Sequence, residues 1–421
     1  MTWTTSLPMA WRRSPARAAA RSFARRKRAL SSGGPSSRSA SVLLAFSNCK
    51  RDVCATRMKL ALIRRQFSAT GGAELYVQRL LGALTAAGHE THLFAEKWQG
   101  QAAGVQFHSI NVEGSRAGRP LRFAEAVNAA LQHERFDCVF SLERTLKQDV
   151  YRAGDGLHRV WLQRREQFAP WWKRPLVGLG AFHRNMLALE AQTFDPANTQ
   201  RIIVNSEMVR GEIAQHFPAF PQERVHTIRN GVEVQRFKNV SRSAARRRFG
   251  LEDNDFVLVF VGSGWERKGL PWLLKFMAGR SDDPRLKLLV VTRDRMRGKI
   301  PPNVILTGPL SDVEAAYAAA DLLTFLPIYE PCSNVVSEAL ATGIPVVTTS
   351  FNGASELIDA GINGHVLDDP SDLATLGMCV NHWRAQGSAG PVKTRLPLDL
   401  ALNVDHTIQV LKLAAEKREW A

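Results

Sequence analysis

At 421 residues, 45% of them hydrophobic, the chain is long enough for two ordinary domains and apolar enough to give each a core. Its net charge of +17 is unevenly spread: residues 1–57 hold twelve Lys or Arg against the single acid Asp52, which leaves +6 for all the rest. That mild excess suits phosphates or an anionic lipid surface and argues against wrapping nucleic acid. No run reaches the roughly 18 apolar residues of a membrane-spanning helix, and the five scattered cysteines fit a reducing compartment rather than a disulfide scaffold or a zinc site.

In chain order, residues 1–57 are rich in Arg, Ser and Ala, lack apolar periodicity and are predicted to be a disordered basic extension. Their composition resembles a transit peptide, but Met58–Ile63 has the character of a first strand, so the working protein is expected to start at Met58. A basic membrane tether is the second reading of the extension. Lys59–Arg64 is predicted as a strand, and Gly71-Gly72 opens a helix whose Val77, Leu80, Leu81 and Leu84 keep helical spacing. Gly88 ends that helix and Thr91–Ala95 returns as a strand, a βαβ unit that predicts a parallel sheet with helices on its faces. Further strands are expected at Cys138–Ser141, Arg201–Asn205 and Val225–Ile228. A Lys/Arg/Ser-rich break follows at Lys238–Arg248. The second set of strands is expected at Phe256–Val261, Leu286–Thr292, Val304–Leu306, Leu322–Leu326 and Pro345–Thr348. This pattern predicts two Rossmann-like domains, residues 58–238 and 239–398, with a last helix in residues 399–421 that crosses back to the first.

Two segments concentrate chemistry at strand ends. The run Tyr329-Glu330-Pro331-Cys332-Ser333-Asn334-Val335-Val336-Ser337-Glu338 sets two acids eight positions apart across a strand end and a helix start. Ligands bind beyond the carboxyl ends of strands in an open parallel sheet. Glu330 is therefore placed to read a substrate hydroxyl, with Glu338 two turns into the helix and the intervening backbone N–H groups free to hold a phosphate. A solvated helix acid and an ordinary loop acid would show the same spacing. The second segment is Gly262-Ser263-Gly264-Trp265-Glu266-Arg267-Lys268-Gly269, where glycines permit a tight turn and two adjacent cations can grip a diphosphate. It has neither the P-loop order nor the dinucleotide fingerprint, so hydride transfer loses support.

In the first half, Asp155 and His158 could orient or deprotonate a hydroxyl, His158 through its near-neutral pKa. A turn aspartate and a surface histidine are the alternative. The stretch containing Trp161, Arg164, Arg165, Phe168, Trp171, Trp172, Lys173 and Arg174 is basic and aromatic, which suits a membrane headgroup interface. A buried aromatic cluster beneath a basic face is the competing reading.

Gly71-Gly72-Ala73-Glu74, the Arg267-Lys268-Gly269 loop, and Glu330 to Glu338 followed by Ala339-Leu340-Ala341-Thr342-Gly343-Ile344-Pro345-Val346-Val347 together resemble family 4 retaining glycosyltransferases. The resemblance spans residues 58 to about 385. Gly88-His89, Trp98 to Gly100 and Asp149 to Asp155 are most similar to bacterial lipopolysaccharide core glucosyltransferases. It implies an α/β protein of GT-B type, two Rossmann-like domains facing a central cleft, with no cofactor and no metal. The implied reaction moves a hexose from a nucleotide sugar, UDP-glucose being the expected donor, to a lipid-linked lipopolysaccharide-core or other envelope glycan. The implied place is the cytoplasmic face of the inner membrane, on an anionic surface and with no nucleic-acid partner. A heptose or mannose transferase, or a non-catalytic nucleotide-sugar-binding protein, stands as the alternative.

The resemblance also assigns roles. Glu330 would hold donor-sugar hydroxyls, Glu338 the ribose, and Arg267 with Lys268 the diphosphate. Gly71, Gly72, Gly262, Cys332, Ser333, Asn334 and Val335 would complete the donor site, and Trp161, Arg164, Arg165, Trp171, Trp172, Lys173 and Arg174 the membrane or acceptor face. Ser333 stands where the family commonly has Gly, which predicts a tighter turn there. Asp253-Asn254-Asp255 precedes its strand and is expected to be a turn rather than a metal-binding pair.

Overall fold

The computed structural model describes residues 57–67, 72–98, 103–296, 298–387, 392–394 and 397–418; the basic extension before Arg57 and Gly71 lie outside them. Two parallel sheets organise the rest. The first contains β1 (Lys59–Ile63), β2 (Glu90–Ala95), β3 (Val105–Ser109), β4 (Cys138–Ser141), β5 (Gln148–Arg152), β6 (Thr199–Val204) and β7 (Val225–Thr227) in the order β3-β2-β1-β4-β5-β6-β7. The second contains β8 (Phe256–Val261), β9 (Leu286–Val291), β10 (Val304–Leu306), β11 (Leu322–Phe325), β12 (Val346–Thr349) and β13 (Gly364–Leu367) in the order β10-β9-β8-β11-β12-β13. Both orders reverse direction beside their first strand, between β1 and β4 and between β8 and β11. Chain connections leave those strands on opposite sides, which opens a crevice beyond their carboxyl ends.

The apolar runs explain the central strands. Phe256–Val261 is buried along all but its last residue, as expected of a parallel strand covered by helices on both faces. Strands β3, β5 and β13 carry no such signal. Strand β5 reads Gln-Asp-Val-Tyr-Arg and yet is wholly buried. Most of its polar groups find partners inside the protein: Gln148 bonds Thr145 and Thr199, Asp149 accepts from Val139 N–H at 2.7 Å, and one guanidinium nitrogen of Arg152 donates to Asn230 at 3.0 Å. Hydropathy cannot find a strand whose polar side chains are solvated by the protein.

The Gly72–Ala86 helix buries Val77, Leu80, Leu81 and Leu84 against the first sheet. On the same core sit Leu400, Val404, Val410, Leu411 and Ala414 of the terminal Leu400–Arg418 helix. The chain enters that helix beside its earlier passage out of the first sheet, where Val232 and Asp399 form a parallel bridge. A polar seam then joins the two sheets' loops. Ser206 Oγ donates to Pro331 O at 2.7 Å and Asn230 Nδ2 to Cys332 O at 2.9 Å. Tyr329 OH donates to Glu212 at 2.7 Å and accepts from Leu157 N–H at 2.9 Å. The loop bearing Glu330 is thus held by the opposite domain.

Candidate active site

The two charged segments meet because they follow neighbouring strands. Gly262–Gly269 leaves β8, Glu330 lies on the loop leaving β11, and these strands flank the reversal in the second sheet. Gly269 closes the first loop at φ +82°, where an added Cβ would lie 1.9 Å from Leu326 O, so only glycine lets the loop return to β11. Asp294, just past β9, accepts from the N–H groups of Gly264 at 2.7 Å and Trp265 at 3.1 Å and fixes the loop's first half. Gly262, at φ +148°, leaves room for the Lys268 side chain, whose Nζ is 2.9 Å from the position of an added Cβ.

The loop's return to β11 tucks Arg267 and Lys268 against the sheet end. Arg267 Nη1 pairs with Glu330 Oε2 at 2.8 Å and donates to Tyr329 O at 2.9 Å. Lys268 is half-buried, its Nζ 5.7 Å from the Phe325 ring centroid, and burial draws its pKa below the ordinary lysine value. Glu330 is aimed through its backbone, whose N–H donates to Phe351 O and whose carbonyl accepts from Gly353 N–H, both at 2.9 Å.

The helix that follows begins at Asn334, which puts Glu338 about one turn in rather than two. Ser333 is still extended at φ −75°, ψ 121°, and delays the helix start. That backbone is open to any residue, so serine tightens nothing where glycine was the expected type. Ser333 does not cap the helix with its side chain; its N–H instead donates to Asn352 Oδ1 at 3.2 Å. The first N–H groups of the Asn334–Thr342 helix therefore form a positive end facing the crevice. Burial lifts the Cys332 thiol to about 12, so this residue offers its backbone rather than a thiolate. Val335, on the first turn, is half-buried. Glu338 accepts from Tyr317 OH at 2.7 Å, and burial raises its pKa.

Across the crevice, Asp155 is exposed and lines a cavity of about 110 Å³ together with Arg64, Tyr76, Arg152, Asn205, Asn230 and Asn334. His158 takes a different position. Its Nε2 is 3.1 Å from His183 Nδ1 and its ring stacks on Trp161, with centroids 5.4 Å apart. Burial lowers its pKa to about 4, so the near-neutral histidine expected from the sequence is a neutral member of an aromatic cluster. Asn205, Asn230 and Arg152 escaped the sequence reading because each ends or follows a different strand. Their only signal is a polar residue just past a strand end.

The basic aromatic stretch divides in two. Trp161 is half-buried against the core, and Arg164 stacks 4.3 Å from the Phe351 ring of the second domain, so neither joins an outer face. Arg165 is exposed and lies over Trp161 at 5.3 Å. Trp171 and Trp172, at 77% and 59% exposure, stand outward with Lys173, Arg174, Leu176 and Leu179. The helical pitch turns the early residues inward, and Pro170 redirects the chain before Trp171.

Residues 70–236 match the model described as Glycosyltransferase Family 4, and residues 255–376 match that of Glycosyl transferases group 1, in the order of the two domains. The chain carries a family 4 glycosyltransferase domain followed by a group 1 glycosyltransferase domain. This glycosyltransferase is similar to the lipopolysaccharide glucosyltransferase WaaG of Escherichia coli K12, 24% identical over 330 residues, 74% of this chain and 86% of that protein. The crystal structure of WaaG superimposes with a TM-score of 0.67 at 22% identity, covering 85% of this chain and 98% of that one. Anabaena Alr3699/HepE in complex with UDP-glucose superimposes with a TM-score of 0.59 at 17% identity, covering 85% of this chain and all of that one. These structural likenesses show a shared GT-B fold of two Rossmann-like domains.

Proposed function

We propose that the enzyme transfers glucose from UDP-glucose, with retention at the anomeric carbon, to a lipopolysaccharide-core or other envelope glycan at the cytoplasmic face of the inner membrane. The observation that carries this reading is the convergence of Arg267, Lys268 and the Asn334–Thr342 helix end on the crevice at the second sheet's reversal. Breaking the sugar–phosphate bond builds negative charge on the leaving diphosphate, and preorganised cations with a helix N-terminus stabilise that charge as it develops. The same charges make the step independent of a metal. Glu330, oriented by Arg267, receives the sugar hydroxyls. Glu338, steadied by Tyr317, holds the ribose. Asp155 faces the acceptor hydroxyl from the opposite wall. The HepE complex with UDP-glucose and the likeness to WaaG support this donor and this class of acceptor.

Among the described residues no helix is long and apolar enough to cross a membrane. Trp171, Trp172, Leu176 and Leu179, set among Lys173 and Arg174, instead form a surface that docks on an anionic leaflet. A thermal-shift panel of UDP-, GDP- and ADP-glucose tests the donor, because a ligand that binds the folded state raises its stability by mass action. UDP-glucose is expected to give the largest shift. A response confined to GDP- or ADP-glucose would replace the donor.

A further inference from the structure

The first-domain wall of the crevice holds a buried cation, Arg152. Arg152 is 6% exposed, and its guanidinium lies 4.3 Å from the centroid of the Tyr76 ring. Its Nη2 donates to Asn230 Oδ1 at 3.0 Å, while Nη1 is buried without a hydrogen-bond partner. The comparably buried arginines differ. Arg144 pairs with Glu190 at 3.5 Å and Arg246 with Asp321 at 2.8 Å, whereas Arg152 has no carboxylate at ion-pair distance among the described residues. Beside it Asn205, 2% exposed, donates through Nδ2 to Gly154 O at 3.1 Å and leaves Oδ1 buried and unpartnered. Both residues line the 110 Å³ cavity that Asp155 also lines.

A buried guanidinium without an anion is costly, and an orphaned donor beside an orphaned acceptor is costlier still. The arrangement is also preorganised: Tyr76 holds the guanidinium face, and its own OH is anchored to Thr407 at 3.2 Å. The planar fork of arginine matches the paired oxygens of a phosphate or carboxylate. Asn205 Oδ1 would accept from a neighbouring ligand hydroxyl. Arg64, on the same cavity, is already paired with Glu143 at 3.3 Å, so the unmet charge belongs to Arg152.

We infer that this cavity binds an anionic oxygen group, a phosphate ester or a carboxylate, carried by the acceptor glycan. The inference rests on the proposed placing of the acceptor against the first domain. It assigns the acceptor a charge and not merely a hydroxyl. Arg267 and Lys268, the cations for the donor diphosphate, do not line the cavity. Asn334 does, so the two sites adjoin and the test must fill the donor side first.

The test uses the full chain, with UDP binding measured first by calorimetry. Absence of UDP binding would sink the donor assignment and leave the cavity to be tested in the free protein. Inorganic phosphate, and acetate in parallel, are then titrated into protein saturated with UDP. The expected result is binding of at least one of these anions, weakened about tenfold or more by Arg152→Gln and less by Arg152→Lys, which keeps the charge but loses the fork. Phosphate binding alone indicates a phosphorylated acceptor, and acetate binding alone a carboxylate-bearing one. Failure of both to bind, binding abolished by UDP, or affinity unchanged in Arg152→Gln overturns the inference. If Arg152→Gln does not fold, Arg152→Lys decides: unchanged affinity overturns the inference and weakened affinity supports it.

Discussion

Arg267 and Lys268 are neighbours in sequence with different surroundings, and their variants should differ accordingly. Lys268→Ala removes a half-buried cation and should lower turnover by roughly two to three orders of magnitude, the scale of losing one preorganised charge stabiliser. Arg267→Ala should cost a similar factor and in addition raise KM for UDP-glucose, because Glu330 loses the partner that orients it. Glu330→Ala should spare UDP and weaken UDP-glucose, while Glu338→Ala should weaken both. Steady-state kinetics and calorimetry with the two ligands separate these outcomes. Near wild-type rates for both cation variants would remove them from the mechanism, and the reverse binding pattern would mean the two acids exchange roles. These four residues were legible in the sequence because each pair lies within one short segment at one strand end. Arg152, Asn205 and Asn230 were not, since their meeting depends on the order of β5, β6 and β7 in the sheet.

Between elements, the seam that carries Tyr329 has a titratable member. Burial raises the Glu212 carboxyl to about 7 from an ordinary 4.5, against the opposing pull of the Tyr329 hydrogen bond. An acid whose pKa rises on folding holds its proton more tightly in the native state. Its stabilisation is complete below about 4.5 and is lost as pH rises through about 7. The stability of the wild type relative to Glu212→Gln should therefore fall across that window in denaturant titrations. A difference independent of pH would show that the carboxyl is not perturbed. The outward turn at Trp171 makes a second prediction at this scale. Each basic residue near a charged bilayer adds about 1 kcal/mol, an attraction that salt screens, and the two tryptophans add an apolar share. Replacing Trp171, Trp172, Lys173 and Arg174 together should abolish sedimentation with anionic vesicles and preserve transfer to a soluble acceptor fragment. Sedimentation unchanged by that replacement would refute docking through this surface. Trp161 and Arg164 had the same composition in the sequence, and only the fold turned them toward the core and the second domain.

For the whole molecule, the terminal helix completes the core of the domain that began the chain. Leu400, Val404, Val410 and Leu411 bury against the first sheet. At about 1.5–3 kcal/mol for each large apolar side chain, their loss would remove roughly 6–12 kcal/mol. That equals most of the stability of an ordinary domain. A chain ending at Leu398 should therefore lose cooperative unfolding of the first domain, read by calorimetry, while residues 239–398 retain theirs. Two independent transitions of undiminished midpoint would show that the helix is dispensable.

By itself the sequence determined the two parallel sheets and the two charged loops, since continuous apolar runs, helical spacing and glycine-bounded turns are local properties that a linear pattern records. Strand β5 escaped it because buried polar side chains that meet partners on other elements look solvent-exposed in one dimension. The tertiary structure alone decided that His158 is a neutral ring in a cluster, that Trp161 faces inward, and that Arg152 has no carboxylate at ion-pair distance among the described residues. Each of these depends on which distant groups share its surroundings, and burial and pairing are properties of the folded neighbourhood rather than of the residue.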